Sequence, residues 1–125
     1  MSLSGVRVGS NDLARSRAFY DATVGPLGYQ AVDIPSMPIV FYKREGSVNF
    51  IVGTPRDGEP ATHGNGGTLV FSAESEAIVE QCYAAALAHG GTCEGKPEAK
   101  PQAGGRFGAY MRDPDGNKLG IYCGM

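Results

Sequence analysis

The closing stretch Arg112–Cys123, RDPDGNKLGIYC, decides how the chain is read. Its first half is a tight turn. Pro114 fixes φ at the second turn position, and Asp115-Gly116 supplies residues that accept positive φ. Its second half, Lys118 to Cys123, places apolar Leu119 and Ile121 on alternate positions and predicts a strand. Gly120 sits between them. A glycine inside a strand gives up side-chain packing and costs backbone entropy. The position raises the question of which side chain belongs there.

Working back from the turn, Phe107–Arg112 is the strand that pairs with the last one as a hairpin. The Lys/Pro/Gly-rich stretch Gly95–Gly105 is expected to hold a short strand and a long loop. Ser75 caps a helix expected over Glu76–His89, and Gly90-Gly91 ends it. A strand is expected at Thr68–Ser72. Before it, TPRDGEPATHGNGG (Thr54–Gly67) is polar and rich in Gly and Pro, and reads as a linker. The first half opens with the strand GVRVG, Gly5–Gly9. A helix is expected over Asp12–Val24, with Ser10 or Asn11 as its cap and Gly25-Pro26 as its stop. Extended runs follow at Tyr29–Ile34, Ile39–Lys43 and Val48–Val52.

The order strand, helix, three strands therefore occurs twice. At an offset of 63, Ala14 matches Ala77, Tyr20 matches Tyr83, Ala22 matches Ala85 and Gly28 matches Gly91. Phe19 falls on Cys82 and Val24 on Leu87 in the same helical phase. Duplication explains this agreement. The expected architecture is α+β: two βαβββ modules, residues 4–53 and 67–124, joined by linker 54–66 in one domain, 1–125. One module cannot bury both faces of its sheet, so two are expected to curl into a cup with helices outside.

Composition narrows the function. The 125 residues are 42% hydrophobic and 19% charged with net charge −2, which gives no electrostatic footprint for nucleic acid. No apolar run approaches membrane-spanning length, and no leader-like segment opens the sequence. Cys82, Cys93 and Cys123 form no C-x-x-C pair and read as small thiols in a reducing, cytoplasmic setting.

The segments VGSNDLARSRAFYDATVGPLGY, GNGGTLVFSAES and RDPDGNKLGIY, in this order, resemble the vicinal oxygen chelate superfamily. That group includes glyoxalase I, bleomycin-resistance proteins and extradiol dioxygenases. The resemblance implies paired βαβββ modules and a homodimer. It also implies, for catalytic members, a divalent ion acting as a Lewis acid on substrate oxygens. Its ligands are a His on the first strand, a His on the first strand of the second module and a Glu on the last strand, often with a carboxylate from the fourth. Carried onto this sequence, those positions are Gly5, Thr68 and Gly120, and SVNFIVG offers no carboxylate. Neither glycine has a donor side chain, and a lone threonine hydroxyl is a poor transition-metal anchor. No cofactor is expected.

Strand alternation then orients the cup. If Gly5 faces inward, so does Arg7. If Gly120 does, so do Lys118 and Tyr122, and with Thr68 goes Val70. Two cations would stand near the position of the family's metal. Tyr42, Phe50 and Tyr110 are expected as walls, and His63 as a group at the cup mouth. The expected function is metal-free binding of a small, anionic molecule, a guanidinium fork being suited to carboxylate or phosphate. The alternative is a lactoylglutathione-lyase-like or related enzyme acting without a metal or with an atypical site.

Overall fold

A computed structural model describes residues 3–125; the first two residues of the expected domain lie outside the described residues. The elements follow in the order β1 (Gly5–Gly9), α1 (Leu13–Val24), β2 (Gln30–Asp33), β3 (Ile39–Lys43) and β4 (Asn49–Gly53). Then come β5 (Leu69–Ala73), α2 (Glu76–Ala88), β6 (Thr92–Lys100), β7 (Arg106–Arg112) and β8 (Lys118–Cys123). The fold is α+β with the two expected βαβββ units. Each forms a mixed four-stranded sheet, β1-β4-β3-β2 and β5-β8-β7-β6. The first strand of each unit pairs in parallel with the last, and the rest are antiparallel.

Three local expectations need correction. The cap of α1 is Asp12, whose Oδ1 accepts from the Arg15 amide at 3.0 Å. Ser10 is engaged elsewhere: its hydroxyl accepts from the Asp12 amide at 3.2 Å and bonds Ser16 Oγ at 2.6 Å. The helix α2 begins as expected, with Ser75 Oγ accepting from the Ile78 amide at 3.2 Å, but ends at Ala88 rather than His89. The Gly95–Gly105 stretch is mostly a strand, not a loop. β6 runs nine residues through Gly95 and Pro97, with register shifts between Cys93 and Gly95 and between Gly95 and Glu98. As an edge strand it tolerates a proline that cannot donate, and the irregularities absorb it.

One hydrophobic core serves both units. Phe19, Tyr20 and Val24 of α1 join Val79, Cys82 and Ala86 of α2 and the apolar faces of both sheets. The helices pack against each other. Phe50 of β4 meets Phe71 of β5 edge to face, centroids 5.3 Å apart. The units therefore sit with their helix-bearing faces toward a shared interior. The other face of each sheet points away, so the cup is open within one chain. Gly5, Arg7, Thr68 and Val70 on those outer faces are exposed. No helix among the described residues is long and apolar enough to cross a membrane.

The DPDG turn locks this arrangement. Asp113 is 4% exposed, and its Oδ1 accepts from the amides of Asp115 and Asn117, both at 2.9 Å. Its Oδ2 accepts from Asn117 Nδ2 at 2.8 Å and from the Tyr20 hydroxyl of α1. Burial, and then the Asp113 charge, raise the Tyr20 phenol well above its ordinary pKa, so it stays a donor. Asp115 accepts from the Asn11 amide, Arg15 and Ser16 at the start of α1. Asn117 Nδ2 also donates to the Gly9 carbonyl of β1 at 3.2 Å.

Tyr20→Phe is expected to lower stability by about 1–2 kcal/mol, because one donor to a buried carboxylate is lost. Asp113→Ala is expected to cost more, since it strands Tyr20, Asn117 and two amides together. Urea unfolding with the slope compared between variants checks both.

Candidate functional site

The outer faces of the two sheets carry the candidate residues, and register decides which. Ile51 of β4 lies beside Arg7 of β1 and Phe41 of β3, so these share the outer face with Gly5 and Asn49. Val6, Val8, Val40, Tyr42, Phe50 and Val52 take the other phase and enter the core. Tyr42 and Phe50 are therefore corrected: both are 1% exposed and neither lines the outer face. The Tyr42 hydroxyl donates to Asp21 Oδ1 at 2.9 Å, and Phe50 packs on Tyr20 with centroids 4.9 Å apart. Desolvation and Asp21 raise the Tyr42 phenol above its usual range.

Arg7 is exposed on β1. Its Nη2 donates to the Thr54 carbonyl at 2.7 Å, which occupies one of five guanidinium donors. It lines a cleft of about 390 Å³ with Gly9, Gly53, Pro55, Asp57 and Thr62, formed where the linker crosses the sheet. Thr68 and Lys118 line a smaller cleft of about 140 Å³ with Gly64, Gly67 and Asn117. His63 is exposed, and its ring stands over Gly116 of the turn, where a methyl would lie 2.6 Å from Nδ1.

The second sheet's outer face is paved by tyrosines. Tyr110 on β7 lies opposite Gly120 on β8, and Tyr122 lies opposite Gly108. A methyl added at Gly120 would fall 2.9 Å from Tyr110 Cε1, and one at Gly108 only 2.4 Å from Tyr122 Cδ1. Each ring thus occupies the room that a neighbouring glycine leaves. The rings meet edge to face at 5.6 Å, and the Tyr122 hydroxyl donates to the Tyr110 hydroxyl at 2.8 Å. Desolvation, and then this pairing, push the Tyr122 phenol up to about 12. Lys118 Nζ lies 5.0 Å from the Tyr110 centroid, a cation–π contact.

Lys100 joins this face and was missed by sequence reasoning. It is buried, with Nζ donating to the Lys96 carbonyl at 2.7 Å and pairing with Glu98 at 3.1 Å. A methyl built on Gly95 would have Lys100 Nζ at 3.2 Å and Tyr110 Cδ2 at 3.4 Å, so ammonium and ring flank one point. Nothing local marked Lys100, because its position depends on β6 being a strand.

A larger cleft, of about 500 Å³, opens on the helix side between Leu27, Arg44, Ser72 and Ile78. Its cation is already engaged. Arg44 Nη1 donates to the Leu27 and Ser72 carbonyls, its other nitrogens bond Ser47, and it stacks on Tyr29 at 4.8 Å.

A profile of the Glyoxalase/Bleomycin resistance protein/Dioxygenase superfamily matches residues 3–121. The chain belongs to this superfamily. A glyoxalase/bleomycin resistance protein from Albidiferax ferrireducens T118 is 44% identical over 97% of this chain and 98% of its own, with TM-score 0.88. A glyoxalase-related enzyme from Fulvimarina pelagi is 23% identical over 98% and 88%, TM-score 0.77. Lactoylglutathione lyase from Agrobacterium tumefaciens is 23% identical over 98% and 93%, TM-score 0.65. At 23% the likeness is one of fold. No curated protein matches the chain.

The residues do not fit the superfamily's divalent ion. Gly5 and Gly120 bear no donor, and at Gly120 the Tyr110 ring fills the space a carboxylate side chain needs. Among the described residues no three of His, Cys, Asp and Glu converge to hold a metal. Gly120→Ala is expected to cost about 1–3 kcal/mol by overpacking, and Gly108→Ala to cost more than Gly120→Ala. Urea midpoints of the two variants check the order.

Proposed function

We propose that this member of the superfamily binds a small anionic molecule on its outer sheet faces, without a resident metal. The observation that carries the reading is Arg7, whose fork stands exposed on β1 with one donor committed to Thr54. A guanidinium held in this way can donate bidentately to a carboxylate or phosphate. Lys118, over the Tyr110 ring, gives the second sheet's outer face a cation as well, while Lys100 there is paired with Glu98. His63 and Thr68 sit at the rim, where the linker meets the turn and the smaller cleft.

The reading includes a homodimer. Neither sheet closes over its outer face within one chain, and Val70 and Val32 there stay 51% and 39% exposed. A second copy supplies the missing wall, turning two open faces into a cup. The three free cysteines suit a reducing cytoplasm.

Light scattering is expected to give twice the mass of one chain, and metal analysis no stoichiometric zinc, nickel or iron. In a thermal-shift screen, organic acids or phosphorylated metabolites are expected to raise the melting point, because a ligand of the folded form stabilises it. Arg7→Ala is expected to abolish that shift. An unchanged shift in Arg7→Ala, or stoichiometric metal, overturns the reading.

A further inference from the structure

We propose that the Tyr110 hydroxyl is the hydrogen-bond donor that holds an oxygen of the bound anion, a small carboxylate or a phosphate ester. This rests on the anion-binding reading above and names the group that gives it direction. The position matters, because the ring that carries this hydroxyl covers Gly120, the place where metal-dependent relatives would present a carboxylate.

The hydrogen-bond inventory assigns the free proton. Tyr122 is 1% exposed, so its O–H must find an acceptor inside the protein, and it finds Tyr110 Oη at 2.8 Å. Tyr110 is half-buried, and among the described residues its own O–H meets no acceptor. One phenol therefore spends its proton on the other, and the second is left to donate outward. Receiving a hydrogen bond polarises the Tyr110 O–H and makes it a better donor. Lys118 Nζ, 5.0 Å from the ring centroid, gives this phenol a cationic neighbour. A neutral donor with an ammonium group over its ring suits an anion and disfavours a cation. The Glu98 carboxylate on this face is paired with Lys100 at 3.1 Å.

The glycines make the geometry specific. A side chain at Gly120 or Gly108 would push the ring it faces off the sheet. The phenols are thus held by covalent backbone on one side and by each other on the other. A donor fixed in this way has little orientational freedom to lose on binding.

The test uses the full chain as its native oligomer, with inorganic phosphate and pyruvate as separate calorimetric probes. Tyr110→Phe keeps the ring over Gly120 and removes only the hydroxyl. It is expected to weaken the probe that binds by about tenfold to a hundredfold, the loss of one hydrogen bond to a charged group. Tyr122→Phe keeps the Tyr110 donor and is expected to lose less. The tyrosine ultraviolet difference spectrum produced by the probe is expected in wild type and absent in Tyr110→Phe. Which probe binds distinguishes carboxylate from phosphate. If Tyr110→Phe binds like wild type while Arg7→Ala does not, the donor assignment falls and the anion site stands. If Tyr122→Phe loses as much as Tyr110→Phe, the pair is only structural and the assignment falls. If wild type binds neither probe, both readings fall.

Discussion

A single buried carboxylate organises this molecule. Asp113 has four donors around its two oxygens: two amides of its own turn, the Asn117 amide group and the Tyr20 hydroxyl. A charge in that position is tolerable only because every lone-pair direction is met. The consequences spread outward. Asp113 shapes the turn that brings β7 and β8 together, and it holds α1 of the other unit through Tyr20. Asp115, next but one in the chain, receives the first residues of α1, and Asn117 reaches β1. The repeat is thus unequal by necessity. Tyr20 is buried in this contact, whereas its counterpart Tyr83 is half-buried, and Val24 is buried where Leu87 is 40% exposed.

The second constraint is an exchange of volume between glycine and tyrosine. On the outer face of the second sheet, Gly108 and Gly120 leave room, and Tyr122 and Tyr110 use it. Aromatic rings covering strand glycines compensate for the packing that glycine gives up. This answers the question posed by Gly120. The side chain that belongs over it arrives from the neighbouring strand. The ring that covers Gly120 also brings a phenol to the outer face, with Lys118 Nζ 5.0 Å from its centroid, so one exchange of volume serves both packing and chemistry.

Much of this was legible in the residues, for identifiable reasons. The helix α2 announced itself by its cap Ser75, α1 by its stop at Gly25-Pro26, and DPDG by turn chemistry. The placement of Arg7, Lys118 and Tyr122 on one side of their strands followed from alternation. Alternation failed at β3 and β4 because both phases are apolar there: Ile39 and Phe41 on one side, Val40 and Tyr42 on the other, with Phe50, Ile51 and Val52 continuing the run. Hydrophobicity cannot choose a face in such a strand, and Tyr42 and Phe50 went to the core. β6 was hidden for the opposite reason. Gly95 and Pro97 are locally poor strand residues, and only pairing with β7 makes them extended. Lys100 was hidden with it. The mutual arrangement of the units depended on contacts about a hundred positions apart, which no local pattern records.

The irregular β6 has a further consequence. Sheet edges present unpaired amides and carbonyls, on which another chain can add a strand. β6 breaks that template with Pro97 and two register shifts, and β2 offers only four residues, with Asp33 near its end tied to Arg17. These two of the four sheet edges are poor seeds for ladder growth. At these edges strand addition, a mode of association with no natural end, is disfavoured.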